Sequence, residues 1–126
     1  MDRDQKANIL LVDDHTQVRN TTAALLEDLG HVVAQAPDGT EALEILKNRD
    51  CDFDLLISDY AMPHLSGTDF LRQAMKMCPD VPALIVTGYA EAEAIGDRPE
   101  GVSILQKPFT PTVLVSRVRE VLEAPR

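Results

Sequence analysis

The sequence predicts an α/β fold. Five β-strands alternate with helices in one doubly wound, five-stranded parallel sheet, the (βα)5 pattern, with strand order 2-1-3-4-5. Three observations predict it. Five short apolar runs, Ile9–Val12, Val32–Ala34, Leu55–Ser58, Ala83–Val86 and Val102–Gln106, have the length of buried strands and stop at turn or polar residues. Segments with helical spacing of apolar residues separate them. Strict alternation of the two calls for parallel pairing and right-handed crossovers, and runs that are apolar on both faces call for helices on both sides of the sheet. The order 2-1-3-4-5 is one of the two common ways of doing this.

The first strand stops at Asp13-Asp14. Val18, Thr22, Leu25 and Leu29 then recur on one face of a helix, and Gly30 closes it. Val32–Ala34 is followed by the turn Pro37-Asp38-Gly39. A short helix over Glu41–Asn48 turns Ala42, Ile45 and Leu46 inward. After the third strand come Asp59 and the loop Ala61-Met62-Pro63-His64-Leu65. Ser66 caps a helix over Gly67–Met77, with Phe70, Ala74 and Met77, or Leu71, Ala74 and Met75, as its buried face. The fourth strand ends in Thr87-Gly88. A fourth helix fits only over Ala90–Ile95, because Gly96, Pro99 and Gly101 cut it short. The fifth strand ends in Lys107-Pro108. Thr110 then caps the last helix, with Pro111 at its first position and Leu114, Val118, Val121 and Leu122 as its stripe.

At 126 residues, 44% of them apolar, the chain is the size of one domain able to bury a core without staples. One domain is expected over residues 1–126, with its core at about 7–122. A net charge of −9 argues against a nucleic-acid or anionic-membrane surface, since both call for clustered Lys and Arg. Nothing approaches a membrane span, and the N-terminus has no signal-peptide core, so the expected location is the cytoplasm. Cys51 and Cys78 are far apart in sequence, in no metal or CxxC spacing, and read as two reduced thiols.

In a parallel sheet all strand ends lie on one edge, where ligands bind such folds. Four of the five end in polar residues: Asp13-Asp14, Asp59, Thr87 and Lys107. Three carboxylates in one crevice repel, and a hard divalent cation removes the conflict. Mg2+, held by one or two carboxylates with water and a phosphate oxygen, fits that count better than Ca2+, which wants more protein oxygens. The cation then points to the chemistry. A carboxylate such as Asp59 can attack phosphorus, with Lys107 and Thr87 placed to neutralise phosphoryl oxygens.

Asp13-Asp14, the run Ser58-Asp59-Tyr60-Ala61-Met62-Pro63 with Gly67, Val86-Thr87-Gly88 and Lys107-Pro108-Phe109 resemble the receiver domain of two-component response regulators. The resemblance extends from about Ala7 to Leu122, and it implies a flavodoxin-like receiver fold. Position by position it implies that Asp59 is the phosphoacceptor and that Thr87 and Lys107 bind the phosphoryl group. It also implies that Asp13, Asp14, Asp59 and the Ala61 backbone carbonyl hold Mg2+, and that the Lys107–Pro108 peptide is cis. The implied donor is the phosphohistidine of a histidine kinase or a histidine phosphotransfer protein. The implied activity is a signalling switch with slow autodephosphorylation, without enzymatic turnover. A homodimer through the fourth helix, fifth strand and last helix is the family's habit. One position departs from the family: Ile104 stands where a Tyr or Phe usually serves as the activation switch. Together with Thr87-Gly88-Tyr89-Ala90, this resembles receivers attached to hybrid sensor kinases.

Taken singly, each residue has a plainer reading. Asp13 and Asp14 serve as a helix cap, Asp59 as a loop cap, Thr87 as a strand end and Lys107 as a solvated lysine. His15, beside the acid pair, reads either as a metal ligand or, better supported, as a helix-start polar residue, and His31 and His64 read as loop residues. Tyr60 and Tyr89 either gate Asp59 or cover the loop. A phosphatase of the haloacid-dehalogenase type is a rival, but it needs an acid where this chain has Ala61. A receiver fold that signals by contact alone is the other rival.

Overall fold

The computed structural model describes residues 6–62, 64–88 and 102–123. Its elements run β1 (Asn8–Val12), α1 (Thr16–Asp28), β2 (Val32–Ala36), α2 (Gly39–Asn48), β3 (Leu55–Asp59), α3 (Gly67–Met77), β4 (Ala83–Thr87), β5 (Val102–Gln106) and α4 (Pro111–Glu123). The strands form one parallel sheet in the order β2-β1-β3-β4-β5, as the sequence predicts. The short helix expected over Ala90–Ile95 lies outside the described residues, so the last helix carries the label α4.

Strand alternation divides the core into two layers. Leu10, Val12, Leu56 and Ile85 face α2 and α3, where they meet Ala42, Leu46, Phe70, Leu71 and Ala74. Ile9, Leu11, Leu55, Ile57 and Leu84 face α1 and α4, where they meet Ala23, Leu26, Leu114, Val118 and Val121. All residues of β3 and β4 are buried, as expected of central strands covered on both sides. The register aligns the carboxyl ends: Val12 lies beside Ser58, Asp59 beside Val86, and Thr87 beside Gln106.

Helix boundaries follow local chemistry. Asp38 caps α2 by accepting the Glu41 N–H at 2.8 Å, and Thr110 caps α4 by accepting the Val113 N–H at 3.2 Å. Ser66 caps α3, accepting the Asp69 N–H at 3.1 Å. Ser66→Ala leaves that donor without its partner and is expected to lower unfolding free energy by about 1 kcal/mol in urea titrations. Gly30 takes φ +98° just past α1, the left-handed C′ position assigned to it from the sequence. The end of α2 is a Schellman motif: Cys51 N–H bonds the Leu46 carbonyl at 2.9 Å and Asp50 N–H bonds the Lys47 carbonyl at 3.3 Å.

Three expectations need correction. The buried face of α1 is Ala23 and Leu26, while Val18 and Leu29 are exposed. The spacing of Val18, Thr22, Leu25 and Leu29 fits a helix face, but the sheet takes up the neighbouring one. On α3 the buried residues are Gly67, Thr68, Phe70, Leu71 and Ala74, with Met75 half-buried against the same layer, so the face of Leu71, Ala74 and Met75 is largely met while Met77 is exposed. Cys51 and Cys78 are not two separate thiols. The loops after α2 and after α3 bring them together, and they form a disulfide with Cα atoms 5.7 Å apart.

Candidate functional site

The site lies at the carboxyl edge of β1, β3, β4 and β5. Asp13 follows β1, and its own N–H bonds the Ala36 carbonyl at 3.1 Å, fixing the end of β1 against β2. Its Oδ1 accepts the His15 N–H at 2.9 Å, and its carbonyl accepts Arg19 Nη1 at 2.7 Å. The capping reading of Asp13 is therefore partly realised, since one oxygen steadies the start of α1. Asp14 presents a buried Oδ1 that accepts no hydrogen bond. His15 Nδ1 lies 3.2 Å from that oxygen and 3.5 Å from Asp13 Oδ1.

Asp59 is the last residue of β3 and is only 4% exposed. Lys107 Nζ sits 2.9 Å from its Oδ1. The lysine reaches it because the chain leaves β5 with Lys107 N–H bonded to the Thr87 carbonyl at 2.7 Å. The peptide to Pro108 is cis, as the resemblance implies. Thr87 ends β4 fully buried, and its hydroxyl has no hydrogen-bond partner among the described residues. Buried polar atoms are nearly always paired, so a buried threonine hydroxyl with no partner among the described residues calls for a reason.

Gly67 has a structural role that the sequence left without a reason. A Cβ there would fall well inside 3.0 Å of the Asp59 carbonyl oxygen and 2.9 Å from the Tyr60 Cα. Its N–H bonds the Tyr60 carbonyl at 2.8 Å, so α3 begins pressed against the chain just after Asp59. Tyr60 is half-buried and packs with Met62 and Leu65 against the α2–α3 layer of the core, which favours its covering role. Tyr89 lies outside the described residues, and exposed Ala61 follows Asp59 by two positions. His31 and His64 stand apart from the site. His31 Nδ1 accepts the Ala7 N–H at 3.2 Å, and His64 is an exposed loop residue at φ +69°.

Desolvation pushes the Asp59 carboxyl above the usual carboxylate range. The hydrogen bond and charge of Lys107 oppose this, and Asp13 and Asp14 add to it. Burial outweighs the ammonium, so the folded chain holds the proton more tightly than the unfolded one. The resulting stability is complete below the unfolded pKa of about 3.9 and is lost as pH rises through the raised folded value. Without divalent cations, Asp59→Asn should therefore gain stability relative to wild type as pH climbs through that window, then hold a constant lead. Denaturant midpoints at a series of pH values check this, and parallel curves for the two proteins would contradict it.

Ligand atoms of Asp13, Asp14, His15 and Asp59 all lie within 4.8 Å of one another. Three of the four groups offer carboxylate oxygen, and one of those oxygens is buried and accepts no hydrogen bond. This donor set fits a hard divalent cation such as Mg2+. His15 holds the N-cap position of α1, as a helix-start residue does, without a side-chain capping bond. Its place beside the acid pair was the one signal for its entry into the cluster.

The fold and this edge define a class. The chain matches the response regulator receiver domain over residues 9–119 and belongs to that family. It is 38% identical to chemotaxis protein CheY of Pseudomonas aeruginosa, over 91% of this chain and 95% of that protein. It is 33% identical to the response regulator receiver protein CpdR of Brucella abortus, over 92% and 97%. It is also 36% identical to sensor kinase CckA of Brucella abortus over 93% of this chain, which spans only 13% of that kinase. The crystal structure of the receiver domain from hybrid histidine kinase CckA superposes with a TM-score of 0.80 at 34% identity, covering 92% of this chain and 99% of that one. A receiver domain from Clostridium thermocellum gives 0.83 at 32% identity, covering 92% and 94%. The chain is thus a receiver domain of two-component signal transduction. Among the described residues no helix is long and apolar enough to cross a membrane.

Proposed function

We propose that this chain, as a single receiver unit over residues 1–126, accepts a phosphoryl group on Asp59 from a phosphohistidine donor. The donor would be a histidine kinase or a histidine phosphotransfer protein, met in the cytoplasm. One observation carries the reading: the buried Asp59 carboxylate faces a lysine at 2.9 Å and stands in one cluster with two further acids. A capping aspartate needs none of that company.

The residues divide the work. An Asp59 carboxylate oxygen attacks phosphorus, the P–N bond to the donor imidazole breaks, and an acyl phosphate forms. The Lys107 ammonium, already bonded to Asp59 Oδ1, neutralises charge on the transferring group. The orphan Thr87 hydroxyl is a donor to a second phosphoryl oxygen. Asp13, Asp14, Asp59 and the Ala61 carbonyl would hold Mg2+, which supplies further charge neutralisation. The same groups, with water as nucleophile, account for slow autodephosphorylation.

The output differs from the family's usual one. Ile104 is half-buried and packs against the α2–α3 layer of the core, where the family carries its switch aromatic. A β-branched aliphatic has no ring to swing inward behind Thr87. This favours a readout through contact surfaces instead. A homodimer through the fifth strand and last helix, together with the fourth helix expected from the sequence, would be one such surface. The test is incubation with Mg2+ and acetyl phosphate, followed by intact mass. A gain of one phosphoryl group is expected, and its absence would refute the reading.

A further inference from the structure

We infer that Cys51 and Cys78 form a reversible thiol–disulfide exchange site, entered at Cys51, at the pole of the domain opposite the carboxylates. Cys51 stands between α2 and β3, and Cys78 directly follows α3. Both therefore lie beyond the end of the sheet where the strands begin, whereas Asp59 lies where β3 finishes.

Backbone hydrogen bonds that do not involve the disulfide hold the Cα atoms of both cysteines. Cys51 occupies the C″ position of the Schellman motif that ends α2. Its N–H is taken by Leu46, Asp50 before it is at φ +51°, and Cys51 itself is at φ +59°. The cap calls for a left-handed residue only at Asp50, so a positive φ at Cys51 as well is uncommon for a non-glycine residue. Phe53, just downstream, is buried in the core, and its N–H bonds the Cys51 carbonyl at 2.8 Å. Cys78 is the C-cap of α3, with its N–H on the Ala74 carbonyl at 2.7 Å. Two helix ends thus hold Cα atoms 5.7 Å apart, near the commonest disulfide separation. A pair placed this way can open and close without the fold being remade.

The two sulfurs differ in access. Cys51 is half-buried, while Cys78 is only 3% exposed. An external partner must meet Cys51 first. With glutathione disulfide as oxidant, the Cys51 thiolate attacks one sulfur, forming a mixed disulfide and expelling one glutathione thiolate. The Cys78 thiolate then attacks the Cys51 sulfur, closes the protein bond and expels the second glutathione. The two cysteines lose two electrons, and their two protons end on the released thiols. Reduction by glutathione or dithiothreitol runs the same steps backwards.

The sequence separation of 27 residues encloses all of β3 and α3. Closing a loop of that length restricts the unfolded chain, so the oxidised protein should melt roughly 10 °C above the reduced one. Asp59 sits at the other pole, so phosphoryl uptake should proceed in both redox states.

The experiment uses the full chain. Oxidised protein should block maleimide labelling of both cysteines, and dithiothreitol should free both while the circular dichroism stays native. Glutathione disulfide should then close the pair again. Cys78→Ser should accumulate one glutathionyl adduct on Cys51, Cys51→Ser should take up glutathione far more slowly, and neither variant should show a melting temperature that depends on reductant. Reduced protein that is unfolded, a pair that stays open in glutathione disulfide, or equal melting temperatures with and without reductant would each overturn the inference. None of these readouts depends on phosphorylation, so the two readings stand or fall separately.

Discussion

Asp59→Asn should take up no phosphoryl group from acetyl phosphate and Mg2+ under conditions where wild type gains one. The amide keeps the shape of the carboxylate but is not a nucleophile toward phosphorus. The variant should also fold, because it removes a carboxylate that burial already disfavours and that two neighbouring acids repel. Loss of uptake with retained stability separates a chemical role from a structural one. A second variant grades the site: Lys107→Ala keeps the nucleophile but removes the ammonium 2.9 Å away. Loss of one such electrostatic partner slows comparable reactions by about 100-fold. Intact mass over a time course reads both. Uptake that survives Asp59→Asn would move the phosphoacceptor elsewhere and remove the basis of the proposed function.

Gly67→Ala should be strongly destabilising, more so than Gly39→Ala. The added Cβ meets backbone: the Asp59 carbonyl oxygen, the Asp59 carbonyl carbon at 3.0 Å and the Tyr60 Cα. A flexible side chain could turn away, but these atoms end a fully buried central strand. Overpacking of this kind costs on the order of 3 kcal/mol. The expected result is a lower denaturant midpoint at unchanged m-value, together with slower phosphoryl uptake, because the displaced atoms belong to Asp59 itself. Gly39→Ala is the control. There the nearest atom is Leu65 Cδ2 at 2.9 Å, the end of a side chain that can move, although Phe70 Cβ stands at 3.1 Å. It should cost markedly less. A loss below about 1 kcal/mol for Gly67→Ala would show that the start of α3 is free to yield.

Much of this was legible in the sequence because the signals are local. Runs of four or five apolar residues closed by Asp, Thr or Lys give both a strand and the identity of its end. Parallel topology then gathers those ends without further information. Ser66, Thr110 and Gly30 announce helix boundaries by their own hydrogen-bonding or conformational habits. What stayed hidden was set by packing across the fold. The sequence alone does not distinguish the buried stripe of α1, because Val18 and Leu29 share the helical period with the true face, and only the sheet decides between the two. The close approach of Gly67 to Asp59 depends on how α3 docks. The Cys51–Cys78 pairing spans 27 residues and is brought about by two separate helix ends, neither of which reads as a cysteine motif.

The last helix also bears on how the molecule meets copies of itself. β5 is the outermost strand on its side of the sheet, and strands at that position can template a foreign one. Lys107 N–H points toward β4, so by alternation the Ile104 carbonyl points outward, away from it. Arg117 of α4 donates its Nη1 to that carbonyl, while its Nε pairs with Glu120 at 3.2 Å. A cation held by its own helix thus occupies an acceptor that strand addition would need. That contact disfavours the addition of a foreign strand at this point of β5, where the outward carbonyl is already taken.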